Sequence, residues 1–551
     1  MLPRLEDMTL REKIGQTVCF RHHYLYKIKD YEEYFSKNPV GFLWPMAHDK
    51  EYYKEFQEKK GNPELLGLKD NMFIDVVNEM SKYMRIPVMP VTDASQGIAK
   101  SMFDGHGALP TVLGLGATDD PELAYKYANL LGQDLSTLGF RWLWSPVCDN
   151  SGKYLGTRNF GCEPEHNKKM LTAFINGLQN SGVAGSAKHF PGADPYEYRD
   201  SHFCTASMTL SLEEWEATQG KEFQACIDAG VASIMVGHKT FRAVDDTRVN
   251  GALLPSTISY KIVTGLLKEK MGFKGVVVSD DMSMKALTAI YPHDKLYIEM
   301  LKAGIDVVLG PLELDYIDIV EKAVLSGELS ESRIDDACAR ILAMKEKYGS
   351  LQPQPVPYLT EEKRDGIKAE MEEFCTEVAK KGLTLTANHL NLIPVKKEEV
   401  KNVKIFYIGY SDLCFDNLKY MVDEFEKHGA TCSVKNGIDF SDPATLKDYD
   451  LVVYATYVSM HAPAGGQFFF GKECRMMFNV MTENVERSVA VSFANTDVYF
   501  NYFTAAPAYV NCYSLNPESI RGFVKGLYGE IEFNSYNPCP LNPITKTDEI
   551  Y

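Results

Sequence analysis

The segment KHFPGADPYEYRDSH, residues 188–202, follows a short apolar run. It gathers a lysine, two histidines, two aspartates, a glutamate and an arginine into one loop. That inventory suits acid–base chemistry. Asp200 and His202 are two apart, so in an extended stretch they face one side. A carboxylate there fixes the imidazole tautomer and stabilises its charged form. Such a ring can give a proton to a leaving oxygen and later take one from water. A second carboxylate, Asp280, ends the run GFKGVVVSDDMSM. An aspartate at a strand tip is a rigid oxygen nucleophile, able to form an ester with a sugar carbon. Its neighbour Asp281 points away if the strand alternation persists.

Other short apolar runs also end in polar groups: Asp93, Asp149, Lys188 with His189, and His238. Charges at the ends of buried strands cost desolvation energy unless they are paired or used. Carboxylates, a lysine and histidines gathered at one place describe a site for a neutral, hydroxyl-rich ligand such as a carbohydrate.

The elements that must position these groups follow from the pattern. Strand candidates are 40–45, 86–93, 140–147, 183–190, 232–238, 275–280 and 303–310, with amphipathic helical stretches between them. Asp120 before Pro121 reads as a helix N-cap, and Ser211 with Glu214 has capping-box spacing. Continuous apolar strands alternating with helices mean a parallel sheet covered by helices. Seven or eight units over about 350 residues favour a (β/α) barrel, where strand ends converge on one face, over an open doubly wound sheet. LQPQPVPY (351–358) reads as an extended linker, and a helical connector follows to 383. A second α/β pattern occupies 384–551. The expected division is therefore a barrel over 1–350, a linker and connecting helix over 351–383, and a smaller α/β domain over 384–551.

Composition bounds the function. The chain has 551 residues, 45% hydrophobic and 24% charged, with a net charge of −17. It lacks the basic field that would attract nucleic acid. No apolar run approaches the roughly 18–20 residues that span a bilayer. The first residues lack a signal-peptide pattern, and 12 cysteines are scattered without a CxxC pair. These read as small buried hydrophobes in a reducing, cytoplasmic setting, with neither metal nor cofactor expected. Oligomeric state is not readable.

LREKIGQ, SPVCDN, TRNFGCEP, AKHFPG, DSH, MVGH and SDDMSM, in this order, resemble successive signatures of glycoside hydrolase family 3, and within it the β-N-acetylglucosaminidase branch. The likeness runs over nearly the whole chain, through SVAVSFANTDVYFNYFTAAPAYVNCYS. It implies a (β/α)8-type TIM barrel followed by an α/β sandwich. It also implies a retaining exo-glycosidase for terminal β-linked N-acetylglucosamine or N-acetylhexosamine, acting through a glycosyl–aspartate intermediate. On this likeness Asp280 is the nucleophile and Asp200–His202 the acid/base dyad. Lys188, His189, Asp93 and Arg158 bind sugar hydroxyls, with His238 a weaker member of the same substrate-binding set; Arg158 rests on the resemblance alone, and Asp149 stands further back.

The chain departs from the family pattern at DASQGIAKS (93–101), where the family's arginines fall on Ile98 and Ser101 and only Lys100 is basic. The dyad loop is also one residue longer, adding Tyr196 and Tyr198 as walls. A histidine in place of a carboxylate lowers the negative charge near the ester, which opens a phosphorylase alternative. The others are a glucosidase-type member using Glu473 and a sugar-binding protein without turnover. Gly466-QFFF-Gly471-Lys472 has P-loop spacing, but Glu473 stands where Ser or Thr would hold magnesium, so nucleotide binding is rejected.

Overall fold

The computed structural model describes residues 3–21, 25, 27–45, 71–97, 105–149, 156–197, 199–287, 290–349, 355–409, 412–439, 441–458, 484–496 and 498–539. Ile98, Lys100, Ser101, Tyr198, the 351–354 part of the linker and the Gly466–Glu473 segment lie outside them. The chain forms two compact units. One comprises 1–107, 125–149 and 171–370; the other comprises 108–124, 150–170 and 371–551.

The first unit is a closed barrel of eight parallel strands: β1 (Val18–Arg21), β2 (Phe42–Trp44), β3 (Met89–Thr92), β4 (Trp142–Leu143), β5 (Ala184–Phe190), β6 (Ser233–Val236), β7 (Val276–Asp281) and β8 (Val307–Leu309). Each strand neighbours the next in sequence, and β8 pairs back with β1, with Val18 beside Val308. The barrel interior is packed with Phe42, Val91, Trp142, Trp144, Met235 and Val278, all buried. Trp142 donates its indole N–H to Ser233 Oγ at 2.7 Å, so this polar edge inside the barrel is satisfied.

Seven of these strands fall on the expected runs. β1 is the one the pattern missed. It is four residues long and follows the helix Leu10–Gln16 after a single residue, so its apolar positions merge with the helical period before it. Both expected helix starts are present. Asp120 Oδ1 accepts from the backbone N–H of Glu122 at 3.0 Å, and Ser211 and Glu214 form a reciprocal capping box. The 355–359 stretch packs on the helix Asn71–Ser81. Asn78 Oδ1 accepts from Val356 N at 2.6 Å, and Asn71 Oδ1 from Leu359 N at 2.8 Å.

The second unit is built on a six-stranded sheet: β9 (Thr384–Asn388), β10 (Asn402–Gly409), β11 (Thr431–Asn436), β12 (Leu451–Tyr457), β13 (Ser488–Ser492) and β14 (Ala508–Asn511), in the order β9-β14-β13-β12-β10-β11. All neighbours are parallel except β9 with β14. Separate apolar clusters cover its two faces. The apolar runs VKIFYIGY, YDLVVYATY, SVAVSFANT and AYVNCYS carry β10, β12, β13 and β14. The two edge strands escaped: β11 is half-exposed along its length, and β9 alternates polar threonines with apolar residues.

Candidate active site

The C-terminal ends of parallel barrel strands share one face, and the polar groups sit there. At the end of β5 the Lys188 side chain is almost fully buried and forms an ion pair with Asp93, which follows β3. Asp93 keeps about a third of its side chain exposed, so the pair is neutralised inside while its carboxylate faces outward. Burial of a lone ammonium would be costly, and this pairing removes that cost. Next to it, His189 is oriented by Asp149. Asp149 Oδ2 accepts from His189 Nδ1 at 2.6 Å and from its backbone N–H at 3.2 Å. Burial alone would raise the Asp149 carboxyl, but His189 and Lys239 hold it below the usual range. Asp149 therefore remains an anion that fixes the His189 tautomer and leaves Nε2 as the working edge of that ring.

The loop after β5 is organised by three acidic residues, each capping a backbone N–H two positions on. Asp194 Oδ1 accepts from Tyr196 N at 2.7 Å and Glu197 Oε1 from Arg199 N at 2.9 Å. Asp200 Oδ1 accepts from His202 N at 2.8 Å. Asp194 also takes the Thr209 hydroxyl at 2.7 Å, and Glu197 takes Ser207 N at 2.8 Å, which ties the loop's far end down. Asp200 Oδ1 then meets His202 Nδ1 at 2.6 Å. Asp200 is buried while the His202 side chain is 53% exposed. The pair is not held by an extended strand, as the spacing suggested. It sits in a turn, in which Asp200 O accepts from Phe203 N at 3.0 Å. His202 O in turn accepts from Lys285 N at 3.0 Å, which joins this loop to the one after β7.

At the tip of β7 the two aspartates are used differently. The Asp281 carboxylate pairs with Arg21 at the end of β1 and accepts from Ser283 N at 2.9 Å. Asp280 Oδ1 accepts only from the Asp281 backbone N–H, at 2.8 Å, and its Oδ2 has no hydrogen-bond partner among the described residues. A register shift between Val278 and Asp281 turns the strand end at this point. His238, after β6, is completely buried. Its Nε2 meets Asp281 O at 3.0 Å and its Nδ1 meets Thr257 Oγ1 at 2.9 Å. A carbonyl can only accept, so Nε2 carries the proton and Nδ1 receives the hydroxyl's. Burial pushes this ring down to about 4, against the pull of the Asp280 charge. His238 is therefore neutral, and both its nitrogens are spent on protein partners, leaving none for a substrate hydroxyl. The charges of His202 and His189 act on the same ring.

Three contributors were not legible in the sequence. Arg21 fixes Asp281 and Ser283, the latter at 2.7 Å through Nη2, and stacks over Trp44 at 5.6 Å. It was missed with its strand. Gly310, at φ +64°, lets Arg21 pass, since a Cβ there would come within 2.9 Å of Nε. Gly237 does similar service: its Cβ would stand 3.2 Å from His189 Cβ and 3.9 Å from Asp280 Oδ2. Arg158 belongs to the second unit, in the loop 156–161, and not to the barrel unit. Among the described residues no cluster of three or more His, Cys, Asp or Glu is placed to hold a metal ion, and no helix is long and apolar enough to cross a membrane.

Residues 9–344 match the Glycosyl hydrolase family 3 N terminal domain. A Beta-N-acetylglucosaminidase/beta-glucosidase of Cellulomonas fimi is 29% identical over 305 residues, which are 53% of this chain and 53% of that protein. A Beta-hexosaminidase of Xylella fastidiosa (strain M23) is 30% identical over 231 residues, 40% of this chain and 67% of its own length. The alignments span about half the length of the first curated relatives, 53% and 46%. Among solved structures, Beta-glucoside phosphorylase BglX superposes with a TM-score of 0.82 at 20% identity, over 98% of this chain and 95% of that one. A glycoside hydrolase family 3 beta-N-acetylglucosaminidase from Paenibacillus sp. str. FPU-7 gives 0.78 at 21% identity, over 97% and 99%. These superpositions establish the shared fold. With the family domain matched across the barrel and every strand-end group above inside that match, the chain belongs to glycosyl hydrolase family 3.

Proposed function

We propose that the chain is a retaining β-N-acetylhexosaminidase, with Asp280 as nucleophile and His202, backed by Asp200, as acid and base. The observation that carries this reading is the division of labour at the barrel mouth. One carboxylate oxygen, Asp280 Oδ2, is open at a strand tip, while an exposed imidazole nearby is locked by a buried carboxylate at 2.6 Å. Asp280 Oδ2 attacks the anomeric carbon while His202 Nε2–H protonates the departing oxygen. The ester then forms, and the now neutral imidazole takes a proton from water as that water attacks C1. Asp200 stays ionised throughout and pairs with the Nδ1–H. In this reading the Lys188–Asp93 pair and His189 Nε2 hold sugar hydroxyls. Tyr196 and Phe203, both largely exposed, lie on the same loop as the dyad and offer aromatic surface to the leaving group. The relatives named as N-acetylglucosaminidase and hexosaminidases support the choice of sugar.

A second reading, phosphorolysis, is favoured by one feature. The acid/base is an imidazole, neutral after the first step, so an anionic phosphate meets no opposing carboxylate at the ester's exposed side. The test is turnover of the 4-nitrophenyl β-glycosides of GlcNAc, GalNAc and glucose, with and without phosphate, by wild type, Asp280→Asn and His202→Ala. Preferential GlcNAc turnover that vanishes in Asp280→Asn supports the hydrolase. Phosphate-dependent release of sugar 1-phosphate selects the phosphorylase. Glucoside turnover that survives His202→Ala overturns the dyad.

A further inference from the structure

In the second unit two cysteines far apart in sequence, Cys162 and Cys539, meet side by side. Their sulfurs are 2.7 Å apart, closer than two unbonded sulfurs rest. Disulfide formation demands backbones already at the right separation, and here both are pinned by contacts that do not involve sulfur. Cys162 N donates to Pro538 O at 2.9 Å. Gly161 permits that approach, because a Cβ there would lie 2.7 Å from the same carbonyl oxygen. On the other side, Asn537 Oδ1 accepts from Cys539 N at 3.2 Å. The segment before Cys539 is fastened twice more: Thr384 Oγ1 lies 2.7 Å from Ser535 Oγ, and the Tyr536 ring stacks on His166 at 4.4 Å. Closing the sulfur–sulfur bond therefore needs little more than a small change at the side chains.

The two thiols also differ in access. Cys162 is partly exposed and Cys539 is buried. We propose that Cys162 and Cys539 are a thiol–disulfide site that closes on contact with a low-molecular-weight disulfide and clasps the loop carrying Arg158 to the C-terminal segment. The Cys162 thiolate attacks one sulfur of the small disulfide and releases one thiol, leaving a mixed disulfide. Cys539 then attacks the Cys162 sulfur and expels the second thiol. Two protein thiols are oxidised, one small disulfide is reduced to two thiols, and the two cysteine protons end on those products. Accessible attacker and buried resolver is the order that makes the bond intramolecular and not a stable adduct. A second pair, Cys148 and Cys226, stands 3.5 Å apart in the barrel unit, but both are fully buried. Burial pushes the Cys148 thiol well up, and neither sulfur of this pair has the solvent access that Cys162 has.

The test uses the full chain equilibrated with glutathione and glutathione disulfide at several ratios, alkylated, and mapped by mass spectrometry without reduction. The expected result is a cross-linked peptide pair containing Cys162 and Cys539, two of the chain's twelve cysteines. The cross-link is reversed by dithiothreitol and absent in both Cys162→Ser and Cys539→Ser. Oxidation also raises the melting temperature of wild type by a few degrees and of neither variant, as expected for closing so long a loop. Exposed Cys204 serves as the internal control, since it meets no other thiol among the described residues and is expected to collect a glutathione adduct. Wild type that keeps both thiols free while Cys204 reacts overturns the proposal. So does Cys162 held as an adduct with Cys539 unreacted. If either serine variant fails to fold, the wild-type map decides alone.

Discussion

Asp200→Asn removes one charge from the dyad and little volume. In the structure Asp200 Oδ1 lies 2.6 Å from His202 Nδ1, so the carboxylate and an imidazolium have charge centres about 4 Å apart. At an effective dielectric constant near 20 that attraction is about 4 kcal/mol. The His202 ring is half-exposed, and solvent screening reduces the usable part to about 2 kcal/mol. Each 1.36 kcal/mol is tenfold in rate, so kcat/KM should fall roughly 30-fold, and further if the amide selects the wrong tautomer. The fall should grow as the leaving group becomes worse, because a 4-nitrophenolate needs little protonation and a sugar alcohol needs much. The assay is kcat/KM across a series of aryl β-N-acetylglucosaminides of rising phenol pKa, wild type beside variant. A steeper dependence in Asp200→Asn is expected. Equal slopes with less than a threefold loss would refute the role given to Asp200.

Other consequences follow from neighbouring residues. His238, lowered from the ordinary 6.5 to about 4, binds a proton more readily unfolded than folded. Its contribution is fully present above about pH 6.5 and is lost as pH falls toward 4, up to about 3 kcal/mol; urea unfolding at pH 7 and 4.5 should show a smaller pH effect in His238→Gln than in wild type. Gly237→Ala puts a methyl 3.2 Å from His189 Cβ, so a several-fold rise in KM with a melting temperature nearly unchanged is expected from steady-state kinetics and a thermal scan. Asp194→Ala strips the caps of Tyr196 N and the Thr209 hydroxyl; loss of about 1–3 kcal/mol locally should appear as faster proteolysis within 191–209 and a lower kcat, while Arg199→Ala, whose side chain lies outward on Glu197, should lower kcat less.

Much of the barrel was legible because its strands are continuous apolar runs ending in charged or polar residues, a pattern that burial on both faces enforces. The candidate site drew on the same pattern: Asp93, Asp149, Lys188, His189, His238 and Asp280 each stand at or just past the end of such a run. What escaped was set by tertiary geometry. Arg21 follows a strand too short to show its own period, and its importance appears only when β8 closes the ring and brings Asp281 beside it. The preference for Asp280 over Asp281 rested on strict alternation; the structure separates them instead through a register shift and the Arg21 pair. The D-x-H spacing suggested an extended strand, whereas a turn capped by Asp200 itself makes the same pairing. Cys162 and Cys539, 377 positions apart, carry no spacing signal at all.

The covalent role of Asp280 is tested most directly by trapping. The protein is incubated with a 5-fluoro β-N-acetylglucosaminyl fluoride, whose ester is slow to hydrolyse, then digested and mapped by mass spectrometry. A glycosyl label on the peptide spanning 275–285, fragmenting to Asp280 and absent from Asp280→Asn, is the expected result. A label on another carboxylate, or turnover of this reagent with inversion at the anomeric carbon by NMR, would contradict it.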